Sequence, residues 1–186
     1  MARFLGAAAL LLVALAASAC PGRVAADVAA DFAAACEYVT VPQLCTNLIS
    51  KSGATTLGDL TKAAIQDSLE QAEEARKTTA SAMAAPNADE ILKKNLGVCM
   101  DAFESAVADM QEAKQKQGEA ISQGKAHTEV TGAISAALVS VGRCNDVFSA
   151  NPGVVSPVAD ATSILKKLMS NSLSLAIAFQ VKNSAY

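Results

Sequence analysis

Tryptophan is absent from this chain, histidine occurs once, and aromatic residues make up only 4% of the 186 positions. With His127 alone, no second imidazole is available to build a metal site, and His127-Thr-Glu129 by itself is not a zinc signature. Beside a polar loop, His127 reads as an ordinary solvated side chain rather than a base or a pH sensor. No Cys-x-x-Cys occurs, which removes the usual metal-binding spacing. No serine lies in a Gly-x-Ser-x-Gly elbow and no glycine-rich phosphate loop is present, so a serine nucleophile and a phosphate cradle are both without support. Glu73-Glu74 could open a di-iron site in a bundle, but that needs Glu-x-x-His on two helices, so the pair reads as a solvated face. Basic residues form no stripe, which argues against nucleic acid. Asn-x-Ser/Thr is also missing, so no N-linked glycan is expected. These absences together predict a binding module: no enzyme, no cofactor and no metal.

What is present is alanine-rich and helical. Hydrophobic residues are 52% of the chain, and alanine, the best helix former and a poor strand former, carries much of that share. The length fits one domain with room for a real core. Residues 1–26 have the layout of a secretory signal peptide: a positive start at Arg3, an apolar run from Phe4 to Leu15, then small residues around Ala17-Ser18-Ala19 and Val24-Ala25-Ala26. The run is shorter than the roughly 20 residues a membrane anchor needs. Cleavage after Ala26 leaves a mature domain over 27–186 with no membrane attachment, expected in the extracellular space. It also removes Cys20, so an odd count of five becomes four: Cys36, Cys45, Cys99 and Cys144. Four cysteines in a secreted chain read as a disulfide framework with three possible connectivities. Losing Arg3 and Arg23 leaves thirteen basic residues against eighteen acidic ones, a net charge of −5.

The pattern along the mature chain predicts helices over 27–39 and 42–50, broken at Val41-Pro42, because proline disfavours helical geometry in the residue before it. A helical hairpin at that break would bring Cys36 and Cys45 together. A long helix over 59–85 shows the stripe Leu60, Ala64, Ile65, Leu69, Ala72, Ala75, Thr79 and Met83. In the next helix Leu92, Leu96, Cys99, Phe103, Ala106, Met110 and Ala113 alternate spacings of four and three, which is a bundle seam. Gly124 is a better turn than Gly118, because a bend there sets Cys99 and Cys144 at more nearly matched distances and supports a bridge between antiparallel neighbours. A helix over 127–142 packs through Val130, Ile134, Ala137, Leu138 and Val141. The last, over 158–182, is expected to use Ile164, Leu168, Leu175 and Phe179. The fold class is therefore all-α: an antiparallel four-helix bundle with an N-terminal helical hairpin.

Several segments carry a resemblance. Cys36-Glu-Tyr-Val-Thr-Val-Pro-Gln-Leu-Cys45 resembles the first cysteine pair of the plant invertase/pectin methylesterase inhibitor family. Leu96-Gly-Val-Cys99-Met-Asp-Ala-Phe103 resembles its third-cysteine helix, with Phe103 where tyrosine is usual. Ile134-Ser-Ala-Ala-Leu138 and Cys144-Asn-Asp-Val-Phe148 resemble the segments that follow. Gly153-Val-Val-Ser-Pro-Val158 and Ser174-Leu-Ala-Ile177 extend the similarity, which spans about residues 30–182. The resemblance implies bridges Cys36–Cys45 and Cys99–Cys144, and a reversible one-to-one complex that sterically blocks a cell-wall enzyme.

One branch of that family covers the substrate cleft of pectin methylesterase, and the other occupies the sucrose site of acid invertase. Methylesterase inhibitors tend to carry acids on the third-cysteine helix and a threonine before the fourth cysteine. Here Asp101 and Asp146 stand two past their cysteines, Ser105 and Ala108 take places where acids can occur, and Arg143 replaces the threonine. The invertase branch often carries Pro-Lys-Phe before the Ser-Ala-Ala-Leu helix, where this chain has Gly124-Lys-Ala-His127. That missing contact motif tips the expected partner to plant pectin methylesterase, with acid invertase as the alternative and a secreted bundle that inhibits nothing as the rival. Asp101, Asp146, Arg143 and Ser105 are the expected target contacts.

Overall fold

A computed structural model describes residues 32–124 and 128–184. The expected signal segment, the start of the first helix and His127 lie outside the described residues. Among those described there is no strand.

The first helix, α1, is described over 32–37, and α2 spans Pro42–Ser52 with Pro42 in its first turn, where a missing N–H costs nothing. Four long helices follow: α3 (Leu57–Met83), α4 (Glu90–Gln123), α5 (Thr128–Ser149) and α6 (Ala159–Ser184). Local chemistry fixes their ends. Thr56 caps α3, its hydroxyl accepting from the Asp59 N–H at 3.1 Å while donating to the Asp59 carboxylate at 2.7 Å. Asp89 caps α4 by accepting from the Leu92 N–H at 2.7 Å. Gly124 ends α4 at φ 62°, a left-handed conformation that side-chain-bearing residues adopt only with strain. The chain therefore turns at Gly124, while Gly118 stays inside the helix.

Consecutive long helices are joined by short connections and run antiparallel. Each packs on its sequence neighbour, and α6 closes the square against α3. The core is lined by the α4 seam, with Leu96, Cys99, Phe103, Ala106, Met110 and Ala113 fully buried. Facing alanines (Ala72, Ala75, Ala102, Ala137) are fully buried too, and small side chains at a contact let helix axes approach closely. Removing the Phe103 ring from this interior would cost about 3–5 kcal/mol. At the α3 start, a methyl group on Gly58 would sit 3.0 Å from the Phe179 ring and 3.1 Å from Ile121, so the close approach of α3 to α4 and α6 there depends on glycine.

The hairpin forms a second, smaller apolar cluster at this end: Phe32, Cys36, Val39 and Cys45 pack on Leu60, Ala64 and Leu175. Cys36 and Cys45 are bridged. Asn171, buried on α6, holds the break between α1 and α2. Its Oδ1 accepts from the Val41 N–H and its Nδ2 donates to the Val41 carbonyl, both at 2.9 Å.

In α6 the seam differs from expectation. Ile164 is exposed and Leu168 half-buried, while Thr162, Leu165, Met169, Ser172, Leu175 and Ala176 face inward. The polar members are satisfied internally. The Ser68 and Ser172 hydroxyls pair at 2.9 Å, and Thr162 donates to the Val158 carbonyl at 2.7 Å. A side chain that closes its own hydrogen bond can occupy a core position. α5 also runs past the expected end, to Ser149, because Cys144 and Phe148 continue its buried face.

Candidate protein-interaction face

Cys99 and Cys144 are bridged with their Cα atoms 4.4 Å apart, pinning α4 to α5 in the half of the bundle away from the hairpin. Both sulfurs are buried, and Cys144 also lies 3.7 Å from the Thr162 hydroxyl of α6. Each helix residue turns the chain by about 100°, so a residue two past a buried cysteine points roughly 200° away from it. Asp101 and Asp146 are therefore driven outward, and both are exposed. Because the helices are antiparallel, the two carboxylates diverge along the bundle axis from the bridge, each by about 3 Å.

Arg143 is exposed on α5 one turn before Asp146, and among the described residues the two form no ion pair. Ser105 is half-buried one turn after Asp101, and its hydroxyl donates to the Asp101 carbonyl at 2.9 Å. It is thus committed to its own helix. Asp101 is exposed on α4, Asp146 and Arg143 are exposed on α5, and Ser105 offers no free donor.

Three further acids follow on α4: Glu104, Asp109 and Glu112. Residues 95–113 contain four acids and no lysine or arginine. By helical angle Asp101, Glu104 and Glu112 fall on the side of α4 opposite Cys99, while Asp109 lies about 80° from it. In sequence this stripe is a charge run of one sign, distinct from the positions fixed by the cysteines. Asp109 sits at the edge of the stripe, half-buried, and burial holds its carboxyl above the usual aspartate range, with Glu112 one turn on adding to the effect.

This face offers charge and shape, with no catalytic constellation. Among the described residues no group of three or more His, Cys, Asp or Glu could hold a metal ion. No described helix is long and apolar enough to cross a membrane. At the opposite end, α1 and α6 enclose an apolar groove of about 540 Å³ that includes Tyr38, Leu57, Ile177 and Val181.

The family model for plant invertase/pectin methylesterase inhibitors matches residues 30–175. No curated protein sequence matches the chain. Among solved structures, mutant form A of a pectin methylesterase inhibitor from Arabidopsis is similar at a TM-score of 0.63 and 22% identity, over 76% of this chain and 92% of that one. A pectin methylesterase inhibitor from Arabidopsis thaliana is similar at a TM-score of 0.58 and 22% identity, over 80% of this chain and 95% of that one. At that identity the likeness is one of fold.

Proposed function

Because this chain belongs to the plant invertase/pectin methylesterase inhibitor family, we propose that it is a secreted inhibitor of plant pectin methylesterase that acts in the cell wall and performs no catalysis of its own. The mature chain begins after Ala26. It forms a reversible one-to-one complex in which the bundle covers the enzyme's substrate cleft. Inhibition of this kind needs a preformed surface more than reactive groups. The Cys99–Cys144 bridge and a filled core hold the α4 and α5 faces in place before docking, so little conformational freedom is lost on association.

The observation that carries the target choice is the acidic outer face of α4, which begins at Asp101, with Asp146 exposed on α5. Its complement is a basic or hydrogen-bond-donating rim on the enzyme. Arg143 adds one positive group where the family pattern has threonine.

The test is a titration of the oxidised mature protein into a plant pectin methylesterase at apoplastic pH, following methanol release. Stoichiometric loss of activity is expected. Replacing Asp101 and Asp146 together by alanine should weaken inhibition by about tenfold, the sum of two contacts of roughly 0.7 kcal/mol each, with helical content unchanged. Full enzyme activity at large excess of inhibitor would reject the methylesterase reading, and the same titration into acid invertase would then decide whether the chain inhibits at all.

A further inference from the structure

A polar groove follows the outer seam of α3 and α4, from the end of α2 to Glu73. It has two stretches, of about 600 and 560 Å³, and Lys62, Gln66 and Lys114 line both. Lys62 comes from α3 and Lys114 from α4, so two ammonium groups border one channel. Among the described residues neither has a carboxylate within ion-pair distance, although Lys51 and Lys116 nearby are each paired. Like charges held beside one another without a counter-charge repel, and an anion between them relieves that repulsion.

The acids of the groove lie toward its ends. Asp59 is occupied by the hydroxyl of Thr56 at the start of α3, and Glu73 closes the far end. Gln66 and Gln115 donate their amide groups to Glu70 and Glu119, which leaves their carbonyl oxygens as acceptors. Paired cations at the centre, with amide and carboxylate oxygens around them, suit a ligand that carries a carboxylate among hydroxyl groups.

We propose that this groove binds a polyuronate, a sugar polymer with a free carboxylate on each unit. The carboxylate sits between Lys62 and Lys114, and neighbouring hydroxyls donate to Gln66, Gln115 and Glu73. No aromatic side chain lines the groove to stack on a sugar ring, so a single unit binds weakly and retention comes from repeated carboxylates along the polymer. The choice of ligand rests on the reading that the chain works beside a pectin methylesterase. Hydrolysis of a pectin methyl ester by water releases methanol and leaves a carboxylate and a proton, so the polymer that fits the groove is the one the target produces. The inhibitor would thereby be concentrated where de-esterification has already occurred.

Retention of the oxidised protein on immobilised polygalacturonate at low salt tests this. The protein is net negative, so general electrostatics oppose retention by a polyanion and only a local cationic site produces it. Retention is expected, lost as salt rises past about 0.15 M, absent on fully methyl-esterified pectin, and reduced about fivefold or more in a Lys62→Gln/Lys114→Gln variant. A Lys166→Gln/Lys167→Gln variant, with the same change in net charge on α6, should behave as the parent. No retention, equal retention on the esterified polymer, or equal loss in both variants would each overturn the proposal. Inhibition of the methylesterase, assayed on the same variants with a short soluble substrate, reports on the inhibitor reading separately, because neither lysine lies on the acidic face.

Discussion

Asn171 shows how one polar side chain can govern a junction that apolar burial alone leaves loose. Val41 stands between two helices: its carbonyl already accepts from the Leu44 and Cys45 N–H groups as α2 begins, and Asn171 adds a further donor to it, but its N–H is satisfied by the Asn171 Oδ1. Each backbone group left without a partner costs about 1–3 kcal/mol. Asn171→Ala should therefore destabilise the protein by about 2 kcal/mol. Hydrogen exchange should locate the loss: amides of α2 exchange faster while those of α4 and α5 keep their protection. Uniform acceleration across all helices would mean that the hairpin is not a separate unit. Asp109 makes the opposite kind of prediction. Its pKa is raised by burial and then by Glu112, so the folded state holds its proton more tightly than the unfolded chain does. Stability therefore falls as pH rises through the unfolded and then the raised folded pKa, and the full penalty is present above both. Asp109→Asn should raise the Tm at pH 7, and the gain should vanish below the ordinary aspartate pKa. A gain that persists at low pH would assign the effect to packing instead.

At the scale of the element, the two bridges lie in different apolar clusters and should fail independently. Cys36–Cys45 closes a ring worth about 2.7 kcal/mol in the chain-entropy account, and Cys99–Cys144 closes a longer one worth about 4 kcal/mol. Cys36→Ala/Cys45→Ala should cost the smaller amount and leave α4 and α5 protected from exchange. Cys99→Ala/Cys144→Ala should cost the larger amount and loosen the face that carries Asp101 and Asp146. Denaturant titration of both variants measures the ranking, and a reversed order would show that packing outweighs loop closure. The helices themselves were legible in the sequence to different degrees. α4 could be read residue by residue, because its apolar positions keep a strict alternation and nothing polar competes for the seam, apart from its ends. α6 could not, because Thr162, Asn171 and Ser172 lie inside and Ile164 outside. Hydrophobic periodicity counts a buried serine as solvent-facing. Only the partner across the bundle, Ser68 for Ser172, makes that position satisfied.

At the scale of the whole molecule, charge is arranged by face: an acidic stripe along the outside of α4, and unpaired lysines on the seam with α3. The positions of Asp101 and Asp146 could be derived from the cysteines alone, since the i+2 offset from a buried sulfur fixes an outward direction. The supporting role of Ser105 could not, because a hydroxyl gives no sign in sequence of whether it bonds its own helix. The wider stripe, including Glu104 and Glu112, predicts how the complex forms. Association with the enzyme should slow as salt rises from low to physiological concentration, with little change in dissociation. Stopped-flow measurements at several ionic strengths test this, and an association rate insensitive to salt would remove the stripe from the encounter.

The order of the four bridged cysteines has a consequence for biosynthesis. Each bridge joins neighbours in that order, Cys36 with Cys45 and Cys99 with Cys144, so the two loops neither cross nor nest. During vectorial synthesis the first pair emerges and can oxidise before either later thiol exists. Once Cys20 leaves with the proposed signal segment, the second pair has only itself to find. Native pairing is thus the pairing of first appearance, and oxidative maturation requires no reshuffling of an earlier bond.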